Sequence, residues 1–267
     1  MAKTYGIAGE TVEVVRVRAK YNVSVAPSNA TSTPIQSYIY EDESTSFQIT
    51  PNTGYELPDT ITAPGNVDYT WTKSTGILAV NNPKSDLLFT IKGVQIPLAA
   101  PIITLEGSTI SWEAVENATS YKVYDNSALL TTITETSLDL STLISMPGAY
   151  TVTVIAVGAP YGNSVASNEV TYDVPLTTPT LAINEDILTI TDTSGLATSY
   201  DLYVNDIFDG NTTETSINLA AAMMPQGTYY ISAVAKAEGY IDSARSNSVT
   251  YTVAEINIEI EENEAGG

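Results

Sequence analysis

Apolar and hydroxyl-bearing residues alternate with a period of two along much of this chain. In YTVTVIAV, Tyr150, Val152, Val154 and Ala156 fall on one face, with Thr151 and Thr153 opposite. STISWEAV places Ile110 and Trp112 inward, SYKVYDN places Tyr121 and Val123 on one face, and SLDLSTL places Leu138 and Leu140 inward. Half-buried antiparallel strands need this pattern. No 12-residue stretch carries a helical stripe. The apolar run Leu219–Met224 reads as one turn before a strand.

The pattern is written twice. SYKVYDN, ETSLDL, PGAYTVTVIAV and SNEVTYDV return as SYDLYVN, ETSINL, QGTYYISAVAK and SNSVTYTV. Pro101 recurs as Pro179, Tyr121 as Tyr200, Tyr150 as Tyr229 and Tyr172 as Tyr251, so the offset grows from 78 to 79. One residue is therefore inserted between the second and third strands of the later copy. Trp112 is replaced by Ile190, another large apolar residue at an inward position. Each copy reads as a seven-stranded β-sandwich spanning residues 94–174 and 175–254.

Residues 21–93 form a first β domain of different pattern, cut by Pro, Gly and Asn at short intervals. Phe47 and Ile49 share a face, and VDYTWTKSTGILAVNNP predicts a hairpin turning at Lys73–Gly76. Residues 1–20 are an N-terminal arm or a first strand, and consecutive Val14 and Val15 suggest a bulge or burial on both faces. Residues 255–267 are an acidic tail. The segments VQIPLAA (94–100) and DVPLTTP (173–179) are linkers, and their prolines make short, semi-rigid joints. The fold class expected is all-β, with three tandem sandwiches in an elongated rod.

Composition narrows the chemistry. Cysteine and histidine are both absent. This removes Ser-His, Cys-His and zinc-type constellations together, and no cofactor or metal is expected. Acid pairs such as Asp59 with Asp68 or Glu113 with Glu116 are not placed across a cleft by any pattern, so no enzyme is expected. The tail INIEIEENE lacks the turn-and-carboxylate spacing of a calcium loop, and NDIFDGN, with Asp206, Asp209 and Asn211 near Gly210, reads as a solvated hairpin tip. The net charge of −21 repels nucleic acid and anionic membranes, so neither is an expected partner. No stretch reaches the length of a membrane span, and MAKTYGIAGETVEVVRV has no apolar core after its lysine, so no signal peptide is expected.

Charge is unevenly distributed. Lys3, Arg16, Arg18 and Lys20 are four of the ten basic residues, against Glu10 and Glu13 in the same stretch. With Tyr5 they form a candidate docking arm for an acidic surface, or an ordinary edge strand with solvated charges. Tyr161 and Tyr240, equivalent in PYGNS and EGYIDS, are candidate surface-ligand residues, or else tyrosines covering the open end of a core.

Through Trp112, Tyr121, the stretch around Tyr150 and SNEVTYDV, residues 98–253 resemble tandem fibronectin type III-like or immunoglobulin-like domains. Residues 40–93 resemble small β repeats of bacterial and phage surface proteins, through TPNTGYELPDTIT, Tyr69-Thr70-Trp71 and SDLLFTIKG. Together they resemble accessory virion proteins of tailed bacteriophages, notably outer-capsid decoration proteins and head fibres. The resemblance implies one end docked on a major capsid protein or another virion protein, and beads that engage host surface glycans. It also implies a place on the virion surface after synthesis in the host cytoplasm. A bacterial cell-surface adhesin or carbohydrate-binding array, and a phage tail or baseplate component, are the alternatives.

Overall fold

The computed structural model describes residues 5–7, 10–12, 17–222 and 224–255. Over these residues the chain is all-β, and its only helical elements are two single 3-10 turns. The buried apolar side chains fall into three separate clusters, one for each unit.

At the N-terminus, β1 (Tyr5–Ile7) and β2 (Glu10–Val12) pair antiparallel with each other and with no other described strand. The first unit starts at β3 (Lys20–Ser28), so Lys20 belongs to the sandwich. One sheet joins β3 to β5 (Gln36–Tyr40) and, in parallel, to β10 (Leu87–Lys92). The other runs β4 (Ala30–Thr33), β6 (Ser44–Pro51), β9 (Ile77–Asn81), β8 (Asp68–Thr72). Alternation sends Val23, Phe47, Leu78, Val80, Phe89 and Ile91 into the core with no exposed surface. A short pair, β7 (Tyr55–Glu56) with β11 (Val94–Gln95), closes one end. Val94 and Gln95, which sequence places in a linker, are thus strand residues of the first unit.

The second unit stacks a three-stranded sheet on a four-stranded one. The first comprises β12 (Ile103–Glu106), β13 (Thr109–Trp112) and β16 (Ser137–Asp139). The second runs β15 (Ala128–Ile133), β14 (Ser120–Asp125), β17 (Gly148–Val157), β18 (Val170–Val174). The third unit repeats this order. It has β19 (Thr180–Asn184), β20 (Ile187–Thr191) and β23 (Ser216–Asn218) against β22 (Ile207–Thr212), β21 (Ser199–Val204), β24 (Gly227–Lys236) and β25 (Val249–Val253). This three-on-four order is that of a fibronectin type III-like sandwich. Trp112 and Ile190 are both buried, at 7% and 3% exposure.

The repeated polar residues have repeated tasks. Tyr150 donates its hydroxyl hydrogen to Met146 O at 2.8 Å, and Tyr229 does the same to Pro225 O at 2.7 Å. Asn168 bonds both backbone groups of Ile103, as Asn247 does for Leu181. Between β17 and β18 the chain leaves the ladder, and two serines replace it. Ser164 and Ser167 accept from the amides of Ala156 and Val154, and Ser243 and Ser246 repeat this for Ala235 and Ala233. An unpaired buried amide is costly, which explains why serine stands at these otherwise apolar-looking positions.

Candidate functional site

Three features could serve a function: the N-terminal edge, the joints between units, and a groove in the first unit. At the edge, Arg18 bonds Asp42 and Glu43 through its guanidinium, which lies 4.6 Å from the centre of the Tyr40 ring. The bond to Asp42 holds the Arg18 pKa above its ordinary value, burial opposes this, and Glu43 adds to the rise. Lys20 Nζ sits 5.8 Å from the ring centres of both Tyr38 and Tyr40. The structure therefore brings Arg18 and Lys20 together on one aromatic edge, with Arg18 already paired to local acids. Tyr5 lies in β1, and its side chain is outside the described residues, as are Lys3, Arg16, the Val14-Val15 pair and the tail beyond Glu255.

At the first joint there is no slack. Ile96 donates its amide to Gly54 O in the first unit and accepts from Gly162 N in the second, both at 2.9 Å. Leu98 then donates to Gly162 O at 2.9 Å and buries its side chain in the second core at 6% exposure. Gln95 Nε2 donates to Pro160 O across the same joint at 2.7 Å. The second joint repeats the leucine plug. Val174 is still paired in β18, and two residues on, Leu176 is 2% exposed in the third core with its amide bonded to Ile241 O.

These bonds also locate Tyr161 and Tyr240. Each precedes the residue that clasps the incoming chain, Gly162 or Ile241, so each sits at the end of its unit where the preceding unit enters. Tyr161 packs partly buried against the second core, and Tyr240 is 38% exposed. The hairpin tip NDIFDGN is, as expected, a turn between β21 and β22, and its Asp206 pairs with Arg245 at 3.0 Å.

Asp192, unnoticed in sequence, ties the segment that enters the third unit to a loop of that same unit. It lies in the loop lengthened by one residue, where nine residues separate Ile190 from Tyr200 against eight between Trp112 and Tyr121. Its carboxylate accepts from Ser194 N and Oγ, Ala197 N and Thr177 Oγ1, the last belonging to the entry segment. Burial disfavours the charged form, but these four donors outweigh it and leave the pKa at about 2. A depressed folded pKa gives stability that is complete above the unfolded value of about 3.9 and lost as pH falls toward about 2. The third unit should therefore lose about 1–2 kcal/mol more between pH 5 and pH 2 than the Asp192→Asn variant does. Urea melts followed on third-unit amide resonances check this.

The groove lies in the first unit between β7 and the turn joining β8 to β9, with a volume of about 930 Å³. Half-buried Tyr55 and Trp71 line it, with Gln48, Glu56, Lys73 and Thr75 among the polar groups. Trp71 Nε1 donates to Pro58 O at 3.0 Å, which fixes the indole plane. Gln48 Nε2 donates to Thr75 O at 2.8 Å, and Ile49 N to Gly76 O at 2.8 Å, which fix the turn. Gly76 has φ +69°, and a Cβ there would lie 2.2 Å from Ile49 O, so only glycine fits. Lys73 Nζ is held by Asp59 at 2.9 Å and Glu56 at 3.5 Å.

Among the described residues, no group of three or more acids forms a metal site, and no helix is long and apolar enough to cross a membrane. No protein-family model matches the chain, and no curated protein sequence matches it. Among solved structures, it is similar to the fibronectin(III)-like modules of Clostridium thermocellum CbhA, at 15% identity over 62% of this chain and 95% of that one, with a TM-score of 0.25. It is also similar to the chicken CNTN1 FN1-FN3 domains, at 11% identity over 80% of this chain and 95% of that one, with a TM-score of 0.24. The human OSCAR ligand-binding domain matches at 15% identity over 58% of this chain and 99% of that one, with a TM-score of 0.23. The all-β sandwich assignment stands on the strand order itself.

Proposed function

We propose that the chain is a non-enzymatic spacer that holds its later units away from a larger particle, as an accessory protein on the surface of a bacteriophage virion. The observation that carries this is the joint. Ile96 is bonded to two units at once, and Leu98 and Leu176 plug directly into the next core, so successive sandwiches have little freedom to flex. A spacer needs that property. The N-terminal hairpin supports docking at that end, because two strands alone are marginal in water and gain stability from a partner surface. The partner we propose is a major capsid protein or another virion protein, reached by strand pairing and by the basic residues of the arm. The net charge of −21 would keep neighbouring copies and particles apart. The particle itself comes from the resemblance in the sequence.

The test is removal of residues 1–16. The shortened protein should retain the melting transitions of all three units yet lose its place on purified particles, read as peptide copy number by mass spectrometry. Undiminished copy number would overturn docking through the arm. A second reading, an adhesin or carbohydrate-binding array on a cell surface, is favoured by the groove beside Tyr55 and Trp71.

A further inference from the structure

The groove of the first unit points to one ligand chemistry. We propose that it binds a neutral oligosaccharide, with Tyr55 and Trp71 as the stacking surfaces. The proposal holds whether a virion or a cell envelope carries the chain, so it stands or falls separately from docking by the arm.

Shape comes first. A cleft of about 930 Å³ along a sandwich edge suits an extended ligand of a few sugar rings better than a single small metabolite. Its apolar lining includes two aromatic side chains, whose flat faces match the C–H faces of a pyranose ring. The wall is also preorganised. The Trp71 indole is pinned through Pro58 O, and the Thr72–Gly76 turn is tied to Gln48 and Ile49, so little conformational freedom is lost when a ligand arrives. The Tyr55 hydroxyl has no protein partner among the described residues and is free to bond a sugar hydroxyl.

Charge decides between neutral and anionic ligands. Lys73 is the groove's cation, and it is locked to Asp59 and Glu56. The bond to Asp59 holds its pKa above the ordinary lysine value, so the ammonium stays charged and committed to those carboxylates. No cation is left over to hold a phosphate or a uronic acid, and the two carboxylates around the single ammonium leave one net negative charge that repels such anions. The remaining lining groups, Gln48, Thr75 and the Tyr55 hydroxyl, are neutral donors and acceptors. Glu56 is the one carboxylate lining the groove, and both it and the neighbouring Asp59 are committed to Lys73, so neither is free to act as the acid or base that glycoside hydrolysis needs. The groove therefore binds without cleaving.

The experiment is an NMR titration of the isotope-labelled full chain with neutral tetrasaccharides of glucose, mannose, galactose and N-acetylglucosamine. Polygalacturonate and heparin fragments serve as anionic controls. At least one neutral sugar should bind saturably with a Kd of about 0.1–5 mM. The shifts should be confined to Tyr55–Leu57, the Trp71 indole N–H and Thr72–Gly76. Tyr55→Ala should weaken binding about tenfold, whereas Tyr55→Phe, which keeps the ring, should stay within about threefold. A chemical-shift fingerprint shows whether each variant remains folded. No saturable shift with any neutral sugar up to about 20 mM would overturn the proposal. Shifts outside the groove, or binding by the anionic fragments alone, would overturn it equally.

Discussion

Replacing Trp112 with alanine should destabilise the second unit by about 3–5 kcal/mol and leave the melts of the first and third units in place. Trp112 is 7% exposed, sits opposite Ile103 in the sheet, and meets Tyr121 edge-to-face with ring centres 5.3 Å apart. Truncation would empty the largest side-chain volume in that core. Tyr121 would lose its aromatic neighbour while its hydroxyl still accepts from Val115 N. The effect stays local because the three cores are separate clusters. Two further variants sharpen the test. The Trp112 indole N–H is buried without an acceptor, so Trp112→Phe removes an unsatisfied donor and should cost less than about 2 kcal/mol. Trp112→Ile installs the residue that the third unit uses at this place, Ile190, and should fall between the two. Urea melts resolved by unit-specific amide resonances would read all three.

Gly54→Val should break the first joint while both adjoining cores survive. Gly54 has φ +80°, a region closed to β-branched residues. A Cβ there would also lie 2.9 Å from Pro160 Cγ and 3.0 Å from the Pro160 carbonyl carbon. Both atoms belong to the next unit, so the clash falls at the joint. Backbone strain of about 1–3 kcal/mol adds to it. The chain can relieve both by swinging the second unit away, at the expense of the Ile96 amide bond to Gly54 O and the Gln95 bond to Pro160 O. Amide exchange should therefore rise sharply at Ile96 and Gly162 and stay unchanged at Phe47 and Val154.

Much of this was legible in the sequence because strands report themselves locally. Period-two alternation fixed the faces of Phe47, Val152 and Ala156, and the internal repeat aligned two seven-stranded units with no outside information. The turn at Lys73–Gly76 showed through its glycine. Features built from segments far apart in the chain were not legible. Asn168 serves Ile103 across 65 residues and Gln95 reaches Pro160 across another 65. Nothing in the local pattern of either residue betrays its partner. Asp192 looked like any loop acid, because its role depends on Thr177 arriving from the joint. Arg18 looked like a free charge for the same reason. Its partners Asp42 and Glu43 come from the turn after β5, and counting charges along a chain does not see pairs across strands. Such exposed pairs contribute little to stability, but they do lower the charge the arm can offer to a partner. The groove needed three segments, around Gln48, Tyr55 and Trp71, to come together.

Whether the three sandwiches move as one body can be read from residual dipolar couplings of the full chain in a weakly aligned medium. If Ile96, Leu98 and Leu176 lock the joints, a single alignment tensor should fit strand amides from all three units. Separate tensors of clearly different magnitude would show units turning freely on slack tethers, and a spacer made this way could hold nothing at a fixed distance.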